Sequence, residues 1–180
     1  MVAPNTIVLK QRGLRKEALA AGTIRPGMLV MRDSALKYVA HNLAGGKAAL
    51  IFACENELNG QGIDDNYSSG DTTFVEYVQS GAEIYGLVAA NAAAITKGDF
   101  LESDGAGGFR KARDLTAAAG TPVSTGIMAD VSASPTQTTI NNALATAAAL
   151  VSYPGAIAVA LETLDNSANA SAARLQVEVL

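Results

Sequence analysis

Several kinds of chemistry have almost nothing to work with in this sequence. Its 180 residues include one cysteine, one histidine and no tryptophan. A lone Cys54 excludes an internal disulfide. It follows the apolar run AALIFA and reads as a small buried hydrophobe; Glu55 and Glu57 beside it disfavour a reactive thiolate. A lone His41 excludes a His-based metal site, since no carboxylate pair is spaced to assist it, and reads as a surface or hairpin histidine. No apolar run approaches the roughly 18 residues of a membrane-spanning helix, so no membrane partner is expected. Aromatic residues make up 5% of the chain while apolar residues make up 49%, so the expected core consists of small and β-branched side chains. Positive charge is also short. Lys and Arg number 13 against 17 Asp and Glu, a net charge of −4 that argues against nucleic acid as a general partner. With no signal-peptide pattern and no disulfide framework, the expected site of synthesis is a reducing cytoplasm.

What basic charge there is lies at one end. Lys10, Arg12, Arg15 and Lys16 put +4 on the first 16 residues, leaving −8 on the remainder. Residues 1–16 read as a basic N-terminal arm with one short β-branched run, Thr6 to Leu9, and residues 17–180 as one β-rich domain. Leu14 to Ala21 holds good helix formers before Gly22, and one or two helical turns are expected there.

The body is dense in turn and strand signals. Arg25-Pro26-Gly27 suits a type II turn. Strands are expected at Met28–Met31, Lys37–Ala40, Lys47–Cys54, Thr72–Gln79, Glu83–Ala89, Phe100–Ser103, Phe109–Ala112, Thr125–Val131, Ala156–Leu161 and Arg174–Leu180. Gly86 inside a strand predicts a bulge or a close backbone approach. Residues 56–69 form a long polar loop, of the kind that tends to bear function. Residues 132–151 read as an insertion, a low-complexity loop followed by a short Ala-rich helix at Ile140–Leu150 capped by Thr139. One feature is an internal echo. Ile24, Gly27, Val30, Asp33 and Tyr38 have counterparts seventy-one positions on in Ile95, Gly98, Leu101, Asp104 and Phe109. Each copy reads as turn, strand, Asp turn, strand, and two copies fit around one barrel or on opposing sheets.

No motif nominates an enzyme, a metal or a cofactor. Asp64, Asp65, Asp71 and Glu76 do not have EF-hand spacing. The Gly105–Gly108 loop lies between strands and has no following Lys-Ser/Thr, so it fails the test for a phosphate loop. Ser124-Thr125-Gly126 lacks the nucleophile elbow.

The run Tyr67-Ser-Ser-Gly70-Asp71, Ser80-Gly81, Glu83-Ile84-Tyr85, Ile95-Thr-Lys-Gly98-Asp99-Phe-Leu101 and Gly105–Phe109 resembles the capsid decoration, or cement, proteins of tailed bacteriophages. The resemblance covers roughly residues 20–131 and the C-terminal strand. It rests on turns and strands, and residues 132–151 fit it poorly. It implies a mainly β fold, a β-barrel, β-tulip or sandwich-like domain with an extended N-terminal arm. It also implies a structural virion protein on the outer capsid surface, assembled in the bacterial host cytoplasm and partnered by the major capsid protein, with a homo-oligomer favoured as trimer over dimer. The arm residues Ile7, Val8, Leu9, Lys10, Arg12 and Arg15 are then the expected capsid contacts, by strand addition. The runner-up is a glycan- or host-binding β-sandwich, for which only a few tyrosines are available as platforms.

Overall fold

A computed structural model describes residues 4–112 and 155–180. The described chain is mainly β, with eleven strands and one short 3-10 turn at Glu57–Asn59. The strands are β1 (Val8–Lys10), β2 (Leu14–Leu19), β3 (Val30–Arg32), β4 (Tyr38–Ala40), β5 (Ile51–Ala53), β6 (Thr72–Tyr77), β7 (Glu83–Val88), β8 (Phe100–Ser103), β9 (Phe109–Lys111), β10 (Ala156–Ala160) and β11 (Ala173–Val179). The strand at 125–131, the loop at 132–139 and the Ala-rich helix lie outside the described residues.

Strands β7, β11, β10, β8 and β9 form a closed five-stranded barrel. Neighbours pair in that order, and a parallel contact between Val88 and Phe109 brings β9 back to β7. Its interior is lined by Val88, Ile95, Leu101, Phe109, Ala158, Ala160, Leu175 and Val177, all fully or almost fully buried. So narrow a ring has room for few large rings, which is why so aromatic-poor a sequence can fill it.

The preceding half of the chain repeats this plan. Strands β2, β6 and β5 form one sheet and β3 with β4 a hairpin. Two bridges complete the circuit, antiparallel Leu29–Phe52 and parallel Ala20–Tyr38. The second of these is the counterpart of Val88–Phe109. The correspondence extends to single hydrogen bonds. Met28 N–H donates to Arg25 O (3.0 Å) as Asp99 N–H donates to Thr96 O (2.9 Å), with Gly27 at φ +89° and Gly98 at φ +91°. Asp33 Oδ1 accepts from the amides of Ala35 and Lys37; Asp104 Oδ1 accepts from those of Ala106 and Gly108. Gly27 N–H reaches Ala53 O as Gly98 N–H reaches Ala160 O. Ile24 exchanges two backbone bonds with Tyr67, and Ile95 does the same with Leu164.

The echo in the sequence is therefore the visible part of a larger duplication. The two copies do not share a ring, as the sequence reading allowed; each builds a barrel of its own. Between β9 and β10 the second unit has residues 112–155, where the first has only residues 41–50 between β4 and β5.

Two expectations for the N-terminal segment differ from the structure. Leu14–Leu19 is a strand and not a helix, because all six of its residues pair with β6, from Leu14–Tyr77 to Leu19–Thr72. A ladder that long outweighs helix propensities of a few tenths of a kcal/mol per residue. The N-terminal segment does not extend away from the body either. Residues Val8–Lys10 lie against β7, and the boundary drawn at residue 16 falls inside β2.

The two units join through backbone as well as side chains. Leu29 N–H donates to Gly107 O (2.8 Å) and Gly107 N–H to His41 O (3.1 Å). The Phe52 ring stacks on Phe109 at 5.9 Å between centroids. His41 is buried at this seam, with Nδ1 2.8 Å from Ser103 Oγ and Nε2 3.2 Å from Lys47 O. Of the surface or hairpin histidine that was expected, it is the second: it directly follows β4 of the β3–β4 hairpin and is buried at the seam.

Candidate functional site

The N-terminal residues are placed by two buried carboxylates. Glu55 accepts from Thr6 Oγ1 (2.5 Å) and from the Ile7 amide (3.0 Å), and Glu76 Oε2 accepts from the Gly13 amide (3.1 Å). Ile7 is fully buried and Val8 nearly so, so these two expected capsid contacts face the protein's own core. Leu9 is half-buried. Lys10, Arg12 and Arg15 are exposed. Lys10 Nζ pairs with Glu83 Oε1 at 2.7 Å. Gly13 permits the crossing from β7 to β6: a Cβ there would stand 2.0 Å from the Tyr77 carbonyl oxygen. The sequence reading missed Glu55 and Glu76 as positioning residues. Their only signal was an acidic side chain inside or directly after an apolar strand.

Beyond this crossing, β2 leaves most of its surface open. Leu14 to Glu17 are all exposed, as is Leu19. The basic side chains are held in place by aromatic rings of β6. The Arg15 guanidinium lies 4.7 Å from the centroid of Phe74, and Lys16 Nζ lies 4.7 Å from that of Tyr77. Such contacts fix a cation without neutralising it. Lys10, Arg12, Arg15 and Lys16 are thus all exposed, on β1, the crossing and β2 of an otherwise acidic chain, with Arg15 and Lys16 on opposite faces of the sheet and Lys10 paired to Glu83.

The backbone of β2 is open as well. The Ala20 amide donates to Asp71 O and Ala20 O accepts from Gly70, so Ala20 faces β6. Alternation along an antiparallel strand then turns the backbone groups of Arg15, Glu17 and Leu19 outward. Among the described residues, β2 pairs along its length with β6 alone.

A second concavity lies beside β6. A groove of about 410 Å³ is lined by Asn56, Asn59, Gln61, Asp71, Thr72 and Phe74, with Tyr67 at its floor. One side of it is the long polar loop at residues 56–69, and the other is the start of β6. Tyr67 is 2% exposed, donates to Cys54 O at 2.7 Å, and burial pushes its pKa up to about 12. The folded state therefore holds the phenolic proton more tightly than the unfolded chain, whose tyrosines titrate near 10. The stabilisation is complete below pH 10 and is lost as pH rises through about 12. Urea unfolding at stepped pH is expected to show stability falling across that window, and Tyr67→Phe to flatten the fall.

The other candidates have structural roles. Cys54 is buried, and burial raises its thiol pKa, so it is not a nucleophile at neutral pH. Asp64 accepts from Arg25 Nη2 (2.7 Å) and Arg174 Nη2 (3.2 Å); the Arg25 bond, more than the Arg174 bond, holds its carboxyl below the ordinary range. Asp65 and Asp71 accept from the amides of Gly62 and Ser68 within their own turns. No cluster of three or more metal-ligating side chains occurs among the described residues. The Gly105–Gly108 loop packs on the first barrel unit, with Gly105 against Ala44 and Gly107 against Leu29 O. No known family's sequence profile matches the chain, and a search of curated proteins gave no match either.

Proposed function

We propose that this protein is a structural component of a virion that binds the outer surface of an expanded tailed-phage head and bridges neighbouring major capsid subunits. The observation that carries the reading is the exposed basic cluster of Lys10, Arg12, Arg15 and Lys16, which runs from β1 through the crossing onto the open edge of β2 in an otherwise acidic chain. The turn-and-strand resemblance supports it independently. In this reading the contacts come from Lys10, Arg12 and Arg15, while Ile7 and Val8 keep β1 seated on β7.

The mechanism requires no catalytic group. A protein that binds the expanded shell and not its precursor stabilises the expanded state by that difference in affinity. Many copies, each spanning two subunits, multiply the effect through avidity. A trimer on local three-fold axes suits such bridging best, and a dimer on two-folds is the alternative.

The competing glycan-binding reading has the polar groove beside β6 in its favour. Its two rings are already engaged, since Tyr67 is buried and Phe74 carries the Arg15 guanidinium. That leaves hydrogen-bonding groups without an open stacking platform.

Co-sedimentation with empty expanded heads and with procapsids tests the capsid reading. The wild-type protein is expected to pellet with expanded heads only. Arg12→Glu with Arg15→Glu should weaken binding about tenfold or more, an effect that shrinks with added salt. Equal recovery with both particles, or with neither, would overturn the proposal.

A further inference from the structure

The duplication makes each barrel unit a control for the other, and at one place they differ. Along β7 the outward backbone groups are covered. The Tyr85 amide donates to Ile7 O (2.8 Å), the Leu87 amide donates to Gly27 O (3.2 Å), and β1 lies antiparallel with Val8 opposite Ile84. The counterpart of β7 in the first unit is β2. Val75 of β6 corresponds to Val177 of β11, and their partners across the ladder are Lys16 and Ile84. Glu17 therefore stands where Tyr85 stands, and Leu19 where Leu87 stands. Among the described residues no strand pairs with the outward side of Arg15 or Glu17, and the bridge from Tyr38 to Ala20 closes the edge only from Leu19 onward.

We infer that the outer edge of β2 is a strand-acceptor site, and that its occupant is an extended acidic segment of the partner protein. The inference rests on the capsid reading above and names the site through which it operates. The covered edge of β7 supplies the template: an antiparallel strand whose carbonyl accepts from the Glu17 amide, as Ile7 O accepts from Tyr85. Charge supplies the chemistry of the occupant. The edge carries Arg15 and Lys16 with Arg12 just before it, against Glu17 as its only acid, so an acidic strand is favoured and a basic one repelled. Leu14 and Leu19, 61% and 45% exposed, mark the two ends of the edge with apolar surface for alternate side chains of the incoming strand. A second copy pairing β2 to β2 would set one net basic edge, Arg12, Arg15 and Lys16 against a single Glu17, beside another.

Hydrogen exchange and one substitution test this. In the isolated protein the amides of Arg15 and Glu17 are expected to exchange much faster than that of Tyr85. On saturated expanded heads the Glu17 amide should become protected. Glu17→Pro removes the outward donor without touching the ladder to β6, as proline is tolerated at such edge positions. It should keep the wild-type melting temperature and lose about tenfold or more in head affinity. Arg15→Glu with Lys16→Glu is the second variant, which leaves every backbone bond intact and should lose affinity similarly. Protection of Glu17 in the isolated monomer would assign the edge to another segment of this chain, and protection that rises with concentration would assign it to a second copy. Either result overturns the inference, as does wild-type affinity in both variants. If the wild-type protein itself fails to bind heads, the capsid reading falls and takes the inference with it.

Discussion

Replacing Phe109 with alanine is expected to lower the unfolding free energy by about 3–5 kcal/mol, the range for deleting a large buried ring. Phe109 closes the second barrel through its pairing with Val88 and Ser103, and it is fully buried. Its ring also stacks on Phe52 of the other unit, so its loss opens a void at the seam as well as inside the ring. The ring lies directly on Gly86, where an added Cβ would stand 2.3 Å from Phe109 Cε2. Gly86→Ala alone should therefore cost about 1–3 kcal/mol through overpacking. In the Phe109→Ala background the same change should cost much less, because the obstructing ring is gone. Urea denaturation of the two single variants and the double variant measures this coupling, with about 0.5–3 kcal/mol expected for residues in contact. Strict additivity would show that the ring does not rest on the glycine.

Arg174→Ala is the second substitution with a large expected effect, about 1.5–3 kcal/mol, the range for hydrogen bonds to a charged group. Arg174 belongs to β11, yet its guanidinium serves the first unit. Nη1 donates to Pro26 O at 2.9 Å, and Nη2 donates to Ile63 O and Asp64. Only 7% of the side chain is exposed, so truncation leaves carbonyls without their donor in a nearly dry place. Lysine should not rescue the loss, because one ammonium cannot span the fork. Limited proteolysis should show faster cleavage in residues 56–69, which lose their tether to β11.

The pH dependence of this clamp has a definite sign. The depressed carboxyl of Asp64 stabilises the fold above its ordinary pKa near 4, and that share is lost as pH falls through the lower folded value. Because Asp64 is largely exposed, its ion pairs contribute little after solvent screening. The gap between wild type and Arg174→Ala should narrow only slightly toward pH 3, since the bonds to neutral carbonyls persist.

Much of this architecture was legible residue by residue. Pro26-Gly27, Asp33, Gly98 and Asp104 specify their turns through local backbone chemistry, with no help from distant parts of the chain. The alternation of Leu175, Val177 and Val179 marks the buried face of β11 in the same local way. The echo between Ile24–Tyr38 and Ile95–Phe109 was visible because turn residues tolerate few substitutes. The pairing partners β5 with β10 and β6 with β11 were not visible as copies, because a strand's fit depends on side-chain size and burial, which many sequences satisfy.

The candidate site was legible only in part. The basic cluster at Lys10, Arg12, Arg15 and Lys16 could be read directly, because charge is a property of the residue itself. Whether Ile7 and Val8 project or bury could not, since it depends on Glu55, forty-eight positions away, meeting the Ile7 amide. Leu14–Leu19 has the local propensity of a helix and becomes a strand because β6 offers a six-residue ladder. The sequence by itself determined the β class, the turns, the repeat and the uneven charge, all set by short-range sterics and composition. Only the tertiary structure decided that the repeat makes two barrel units, that the N-terminal segment folds back, and that β2 keeps an uncovered edge. Those outcomes depend on which distant backbone groups meet, and pairing between distant strands is written in no single stretch of residues.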